Sequence, residues 1–144
     1  MQGNLPEARS LAEQAIGIRE RTLGPDHQDT ADSVSNLAVV LQMQGNLKGA
    51  VAQFERALRI FEKRLGLQAP ITNRCAYSLA RTLLRLNCPG EAARLAERAL
   101  AAHEAMLDAS HHWRLDSARV TADAYNALGR GEEALALRQR YGLS

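Results

Sequence analysis

The chain has 144 residues, of which 46% are hydrophobic and only 4% aromatic, and its formal net charge at pH 7 is +2. This length corresponds to one domain, and so small a net charge gives no argument for nucleic acid or an acidic membrane as a partner. No apolar run reaches the roughly 18 residues that a membrane span needs, and the N-terminal segment lacks the apolar stretch of a signal peptide. We therefore expect a cytoplasmic protein without membrane contact, in which Cys75 and Cys88 are reduced.

One alanine position returns every 42 residues, at Ala8, Ala50, Ala92 and Ala134. Turn glycines stand in register before three of these alanines, at Gly3, Gly45 and Gly129, and Asn87 takes the place of glycine in the third copy. A fixed period of this size is typical of stacked supersecondary units that bury their apolar faces against their neighbours. We therefore predict a single repeat domain. The predicted copies span residues 1–24, 25–66, 67–108 and 109–144.

The predicted elements are all helices, because apolar side chains recur at helical spacing and each run ends at a glycine, proline or asparagine. In chain order, the first helices span about 6–23, 29–44 and 47–65, another begins after Pro70, and one spans about 91–107. The last two helices begin near Trp113 and near Glu132. Small side chains at Ala38 and Ala57 let the two helices of a copy approach closely.

A set of apolar and small positions resembles the tetratricopeptide repeat: Val34, Leu37, Ala38, Leu41, Ala50, Phe54 and Ala57. The usual period of that repeat is 34 residues. The longer period here, the segment 18–27 and the motifs at 36–38 and 44–46 are similar to kinesin light chain and to related bacterial proteins. The resemblance covers nearly the whole chain and weakens toward the C-terminus. It implies a right-handed α-solenoid of antiparallel helix pairs, about three and a half repeats long, that acts as a non-catalytic protein-binding scaffold.

The chain begins on the second helix of a pair, because residues 3–23 align with residues 45–65. We therefore expect a fragment of a longer protein. A first helix without a partner would expose an apolar strip formed by Leu11, Ala15 and Ile18, and such strips favour association. Self-assembly into a homo-oligomer is thus one alternative function. A sensor arm of a larger signalling protein is another.

The resemblance implies that the first helix of each pair lines a concave groove. The residues expected to face it are Asp32, Ser35, Asn36, Val39 and Met43 in copy two, Arg74, Tyr77, Ser78, Arg81 and Arg85 in copy three, and Asp116, Arg119, Asp123 and Asn126 in copy four. Three arginines of copy three share one helix face, with an aromatic ring between the first two, and guanidinium groups bind carboxylates bidentately. We predict that the groove binds an extended acidic peptide, whereas the alternative is an ordinary solvated helix face. The predicted binding residues are Asn36, Arg74, Tyr77, Arg81, Arg85 and Arg119.

No catalytic, cofactor or metal site is predicted. The histidines are His27, His103, His111 and His112, and none stands near a serine or cysteine in a recognisable nucleophile setting. The pairs at 26–27 and 111–112 lie in separate loops and lack metal-ligand spacing. The resemblance implies that His27 caps a helix. We expect Trp113 to cover the seam between two repeats.

Overall fold

The computed structural model describes residues 4–143, so Gly3 of the turn register lies outside the described residues. The regular structure within this range is entirely helical. Its elements are α1 (Leu5–Leu23), α2 (Gln28–Met43), α3 (Leu47–Leu65), α4 (Pro70–Arg85), α5 (Pro89–Met106), α6 (His112–Ala127) and α7 (Gly131–Tyr141). The predicted helices are therefore confirmed with small differences at their ends. The clearest difference is at α5, which begins at Pro89 rather than near Glu91, because proline is well tolerated in the first turn of a helix.

Residues in the left-handed conformation connect the helices. Gly45 and Gly129 have φ angles of 83° and 78°, and Asn87, at the same position of the third copy, has a φ of 62°. Asparagine tolerates this conformation better than most side chains do. The third copy therefore forms the same turn with asparagine in place of glycine.

The helices form two compact units, and the division between Gly66 and Leu67 coincides with a predicted boundary between copies. In the first unit, α2 packs against both α1 and α3. Ala38, Ala50 and Ala57 are completely buried there. Their burial agrees with the close helix approach that the sequence predicts.

The outer face of α1 is apolar and open. Leu11 is 57% exposed and Ile18 is 52% exposed, while Ala15 is half-buried. The buried apolar side chain of α1 is Ile16, which lies outside the predicted apolar strip. The exposure of Leu11 and Ile18 agrees with the sequence-based expectation.

In the second unit, α5 packs against α4 and α6, while α6 also contacts α4 and α7. The ring of Trp113, in the first turn of α6, lies 6.0 Å from the His103 ring and 5.3 Å from the Arg74 guanidinium carbon. Both neighbours belong to the preceding copy. Trp113 therefore covers a seam between two repeats, as expected. Among residues 4–143, no helix is both long enough and apolar enough to cross a bilayer.

Candidate peptide-binding groove

The candidate site is a cavity of about 430 Å³ between α4 and α6, the first helices of copies three and four. From α4 it is lined by Tyr77, Arg81, Leu84 and Arg85, and from α6 by Asp116, Arg119, Val120 and Asp123. Three of the predicted binding residues carry exposed guanidinium groups at this cavity. All residues that line this cavity belong to the second unit, and they include three of the predicted arginines.

The three exposed arginines of the cavity differ in what holds them. The side chain of Arg85 makes no hydrogen bond or ion pair with any residue that the structure describes. Arg81 donates from Nη1 to the hydroxyl of Tyr77 over 3.5 Å. Arg119 Nη1 lies 3.6 Å from Asp116 Oδ1. These weak contacts leave most of the donor capacity of the three side chains open to a ligand.

The two carboxylates of the cavity are paired with arginines other than Arg81 and Arg85. Asp116 accepts a hydrogen bond from Arg74 over 2.9 Å. Asp123 accepts a hydrogen bond from Arg138, which comes from α7. Since each carboxylate is already neutralised by a guanidinium group, the cavity presents an excess of positive charge.

Arg74 is more firmly fixed than the other groove arginines. In addition to its ion pair with Asp116, its guanidinium carbon lies 4.4 Å from the centre of the Tyr77 ring and within cation–π distance of Trp113. Tyr77 is only 8% exposed. Arg74 and Tyr77 therefore form the supporting wall of the groove, and Arg81, Arg85 and Arg119 form its accessible surface.

Asn36 is the one predicted binding residue that lies in the first unit. It is exposed on α2, and its amide has no hydrogen-bond partner among the described residues. Val39 and Met43, on the same helix, are 44% and 56% exposed. Nearby, burial raises the pKa of the Asp32 carboxyl, and the Asp29 charge adds to the effect.

A second cavity of about 440 Å³ is lined by residues of α5, α6 and α7, including three glutamates. Each glutamate is engaged: Glu97 accepts from the Tyr125 hydroxyl over 2.5 Å, Glu104 from Arg140 over 2.7 Å, and Glu133 from Arg130 over 2.8 Å at both oxygens. Burial and the bond to Glu97 together raise the pKa of Tyr125 to about 12. All three glutamates of this cavity are therefore hydrogen-bonded within the chain, so the cavity is not an open acidic site.

Two of the histidines cap helices. His27 Nδ1 accepts a hydrogen bond from the backbone N–H of Asp29 over 3.0 Å, so it caps α2 as predicted. His111 caps α6 in the same way through Trp113 N–H. Among the described residues, no group of three or more histidine, cysteine or carboxylate side chains is placed to hold a metal ion.

Sequence reasoning missed the apolar lining of the cavity and the partner of one of its carboxylates. Leu84 and the buried Val120 also line the cavity, and Arg138 of α7 donates to Asp123. Val120 stands one period after Ser78, a residue already expected to face the groove. The repeat spacing therefore contained a signal for Val120, but none for Arg138.

Comparison with known proteins gives matches along the chain. A family model described as tetratricopeptide repeat matches residues 1–63, and a second model of the same description matches residues 73–98 and 115–140. The clustered mitochondria protein of Arabidopsis thaliana is 35% identical over 71 residues, which are 49% of this chain and 5% of that protein.

Among solved structures, one is described as a kinesin light chain of Podosopora anserina with nearly identical TPR-like repeats. It superposes on this chain with a TM-score of 0.89 at 31% identity. The match covers 96% of this chain and 66% of that one. BtubC (BKLC) from P. vanneervenii superposes with a TM-score of 0.90 at 20% identity, over 97% of this chain and 56% of that one, and shows likeness of fold alone. The chain thus spans only part of each of these proteins.

Proposed function

Because the chain belongs to the tetratricopeptide-repeat proteins, we propose that it is a protein-interaction scaffold that binds an extended acidic peptide in its groove. Tetratricopeptide repeats are typically non-catalytic, and extended concave surfaces are what repeat arrays use for binding. A cytoplasmic location belongs to the same proposal and is compatible with Cys75 and Cys88, which form no disulfide within the described residues.

The observation that carries the proposal is the charge balance of the cavity between α4 and α6. Its carboxylates, Asp116 and Asp123, are bound by Arg74 and Arg138. The guanidinium group of Arg85 has no partner in the described part of the chain. A carboxylate-bearing peptide would supply the acceptors that this surface lacks. Leu84 and Val120 line the same cavity and add apolar surface to it.

The expected affinity is moderate. A charge-assisted hydrogen bond contributes about 1.5–3 kcal/mol when it is shielded from water. An exposed ion pair contributes less than about 1 kcal/mol. Since the groove is shallow and open, we expect micromolar rather than nanomolar dissociation constants, and we expect affinity to fall as salt increases.

The test is selection from a library of extended peptides, followed by titration of the selected peptides. We expect enrichment of Asp and Glu, and we expect Arg81→Glu with Arg85→Glu to abolish binding without loss of helical content. The matched control is Arg59→Glu with Arg94→Glu, which makes the same change in net charge at exposed positions of α3 and α5. If the groove variant binds as the wild type does, with the same salt dependence, the arginines form only a solvated face and the proposal is wrong.

Self-assembly is the second candidate function, and the exposed side chains of Leu11 and Ile18 favour it. Side chains seven residues apart lie on one face of a helix, and a second molecule of this protein could cover them. A different interface would pair the groove arginines of one molecule with an acidic rim, formed by Glu132 and Glu133, of a second molecule. Glu133 is already bound by Arg130 within its own chain, so the α1 face supports this alternative better than the acidic rim does.

A further inference from the structure

His103 lies at the junction of three helices in the second unit. Its side chain belongs to α5 and is completely buried. Nδ1 lies 2.9 Å from the hydroxyl oxygen of Ser117 in α6, and Nε2 lies 3.3 Å from the backbone carbonyl oxygen of Pro70, the first residue of α4. We call these three groups, the His103 ring, the Ser117 hydroxyl and the Pro70 carbonyl, the His103 junction.

The partners fix the protonation state of the ring. The Pro70 carbonyl can only accept a hydrogen bond, so Nε2 carries the proton that bonds it. Nδ1 is then the acceptor, and the Ser117 hydroxyl donates to it. The junction is therefore complete when His103 is neutral. A second proton, on Nδ1, would turn the Ser117 hydroxyl from donor to acceptor and would leave a positive charge buried at the junction.

The surroundings oppose that second proton. Burial lowers the pKa of His103, and the positive charges of Arg74, from α4, and of His111, at the N-terminus of α6, act in the same direction. The backbone carbonyls of Pro70 and Trp113 act in the opposite direction, with a smaller effect than burial. A charged imidazole at this place would be buried without a carboxylate partner, which is costly.

The junction connects the two walls of the candidate groove. Pro70 begins the helix that carries Arg81 and Arg85. Ser117 is adjacent to Asp116 and lies two residues before Arg119, so it belongs to the turn of α6 that faces the cavity. Separation of α6 from His103 would therefore displace Asp116 and Arg119 relative to α4.

We propose that neutral His103 holds α4 and α6 in the arrangement that binds the peptide, and that protonation of His103 releases this arrangement and weakens binding. The proposal rests on the function proposed above and adds its regulation by pH. Because folding favours the neutral ring, the stabilisation is complete above the ordinary histidine pKa of about 6.5 and is lost as the pH falls through the lowered value.

Simple electrostatics predicts that acidification strengthens the binding of an acidic peptide rather than weakening it. Acidification makes the protein more positive, and a more positive protein should bind an acidic peptide more tightly. Aspartate, with an ordinary pKa of about 3.9, stays ionised at a pH of about 5.5. Weaker binding at low pH therefore cannot come from the charge of an aspartate peptide.

The experiment uses the full chain and a short peptide of alternating aspartate and alanine at constant ionic strength. Nuclear magnetic resonance follows the imidazole signals of all four histidines between pH values of about 7.5 and 5. We expect the His103 signals to titrate below about 6.5. At the midpoint half of the molecules keep a neutral ring, so we expect about twofold weaker binding there and a further loss as the pH falls.

Three variants separate the junction from other effects of pH. His103→Gln keeps a donor and an acceptor but does not titrate, so its affinity should not fall on acidification. Ser117→Ala removes the hydroxyl that bonds Nδ1, so the junction should loosen and the affinity at neutral pH should fall. His112→Gln changes an exposed histidine in the first turn of α6 and should behave as the wild type does.

Two outcomes overturn the proposal. One is unchanged or tighter binding across the His103 titration, and the other is an acid-induced loss of affinity that persists in His103→Gln. If His103→Gln does not fold, Ser117→Ala decides, and an unchanged affinity of that variant at neutral pH rejects the junction. If no acidic peptide binds at neutral pH, the proposed function fails. In that case thermal unfolding still tests the junction, because its acid-dependent loss of stability is then expected in the wild type and not in His103→Gln.

Discussion

Arg74 and Asp116 occupy the same position in successive copies of the repeat, 42 residues apart, and the guanidinium group of one donates to the carboxylate of the other over 2.9 Å. The repeat therefore brings together equivalent side chains of opposite charge. Arg74 is 31% exposed and Asp116 is 24% exposed at the side chain. The pair is thus partly shielded from water, and it removes one negative charge from the surface that an acidic peptide would approach.

Asp116→Asn should strengthen the binding of acidic peptides. The change removes the carboxylate that engages Arg74 and approaches Arg119, so both guanidinium groups gain donor capacity toward a ligand. Because the contacts are partly exposed, we expect a gain below about 1 kcal/mol, which is at most about fivefold in affinity. Isothermal titration with the wild type and the variant measures it.

The control for this change is Glu132→Gln, which makes the same change in net charge at an exposed residue of α7. It should leave affinity nearly unchanged. Equal gains in affinity in the two variants would mean that net charge alone sets the affinity and that the position of Asp116 in the groove has no effect.

Ala50→Leu should destabilise the first unit. Ala50 is completely buried where α3 packs against α2, and a larger side chain there forces its neighbours apart at a cost of about 1–3 kcal/mol. Ala101, on an exposed part of α5, is the matched control, and Ala101→Leu should cost little. Chemical denaturation of both variants gives the free energies of unfolding. Equal values would refute the repeat register.

The sequence predicted the helices and the packing alanines because both depend on local spacing. Ala50, Ala92 and Ala134 recur at one interval and are buried, whereas Ala8, at the same position in α1, is only half-buried. Arg81 and Arg85, four residues apart, share a helix face for the same local reason, and their role in peptide binding stays a prediction. The family resemblance to the tetratricopeptide repeat was confirmed for the same reason.

What the sequence did not predict depends on contacts between helices. The burial of His103 and its bonds to Pro70 and Ser117 need three helices in place. The pairing of Asp123 with Arg138 joins neighbouring helices, and no periodicity links their positions. Sequence analysis therefore found the charges of the groove but not the partners that determine which of them are available.

Replacing Asn87 by a residue that disfavours the left-handed conformation should destabilise the protein. Asn87 has a φ of 62° where the other copies have glycine. Asn87→Ala should cost about 1 kcal/mol, because alanine is strained at positive φ, whereas Asn87→Gly should be nearly neutral. Gly45→Ala, at the equivalent turn of copy two, should cost a similar amount. Thermal unfolding of the three variants measures the differences, and a stable Asn87→Ala variant would show that the turn is not constrained.

Self-association should depend on the open face of α1. Leu11 and Ile18 are both more than half exposed on one side of that helix, and burying them against a second copy removes apolar surface from water at a gain of about 25 cal/mol per Å². We expect a concentration-dependent dimer by sedimentation velocity, weakened by Leu11→Glu. Leu135→Glu, at an equally exposed leucine of α7, should leave the dimer intact. A chain that stays monomeric at high concentration, or a dimer that both variants weaken equally, would argue against α1 as the interface.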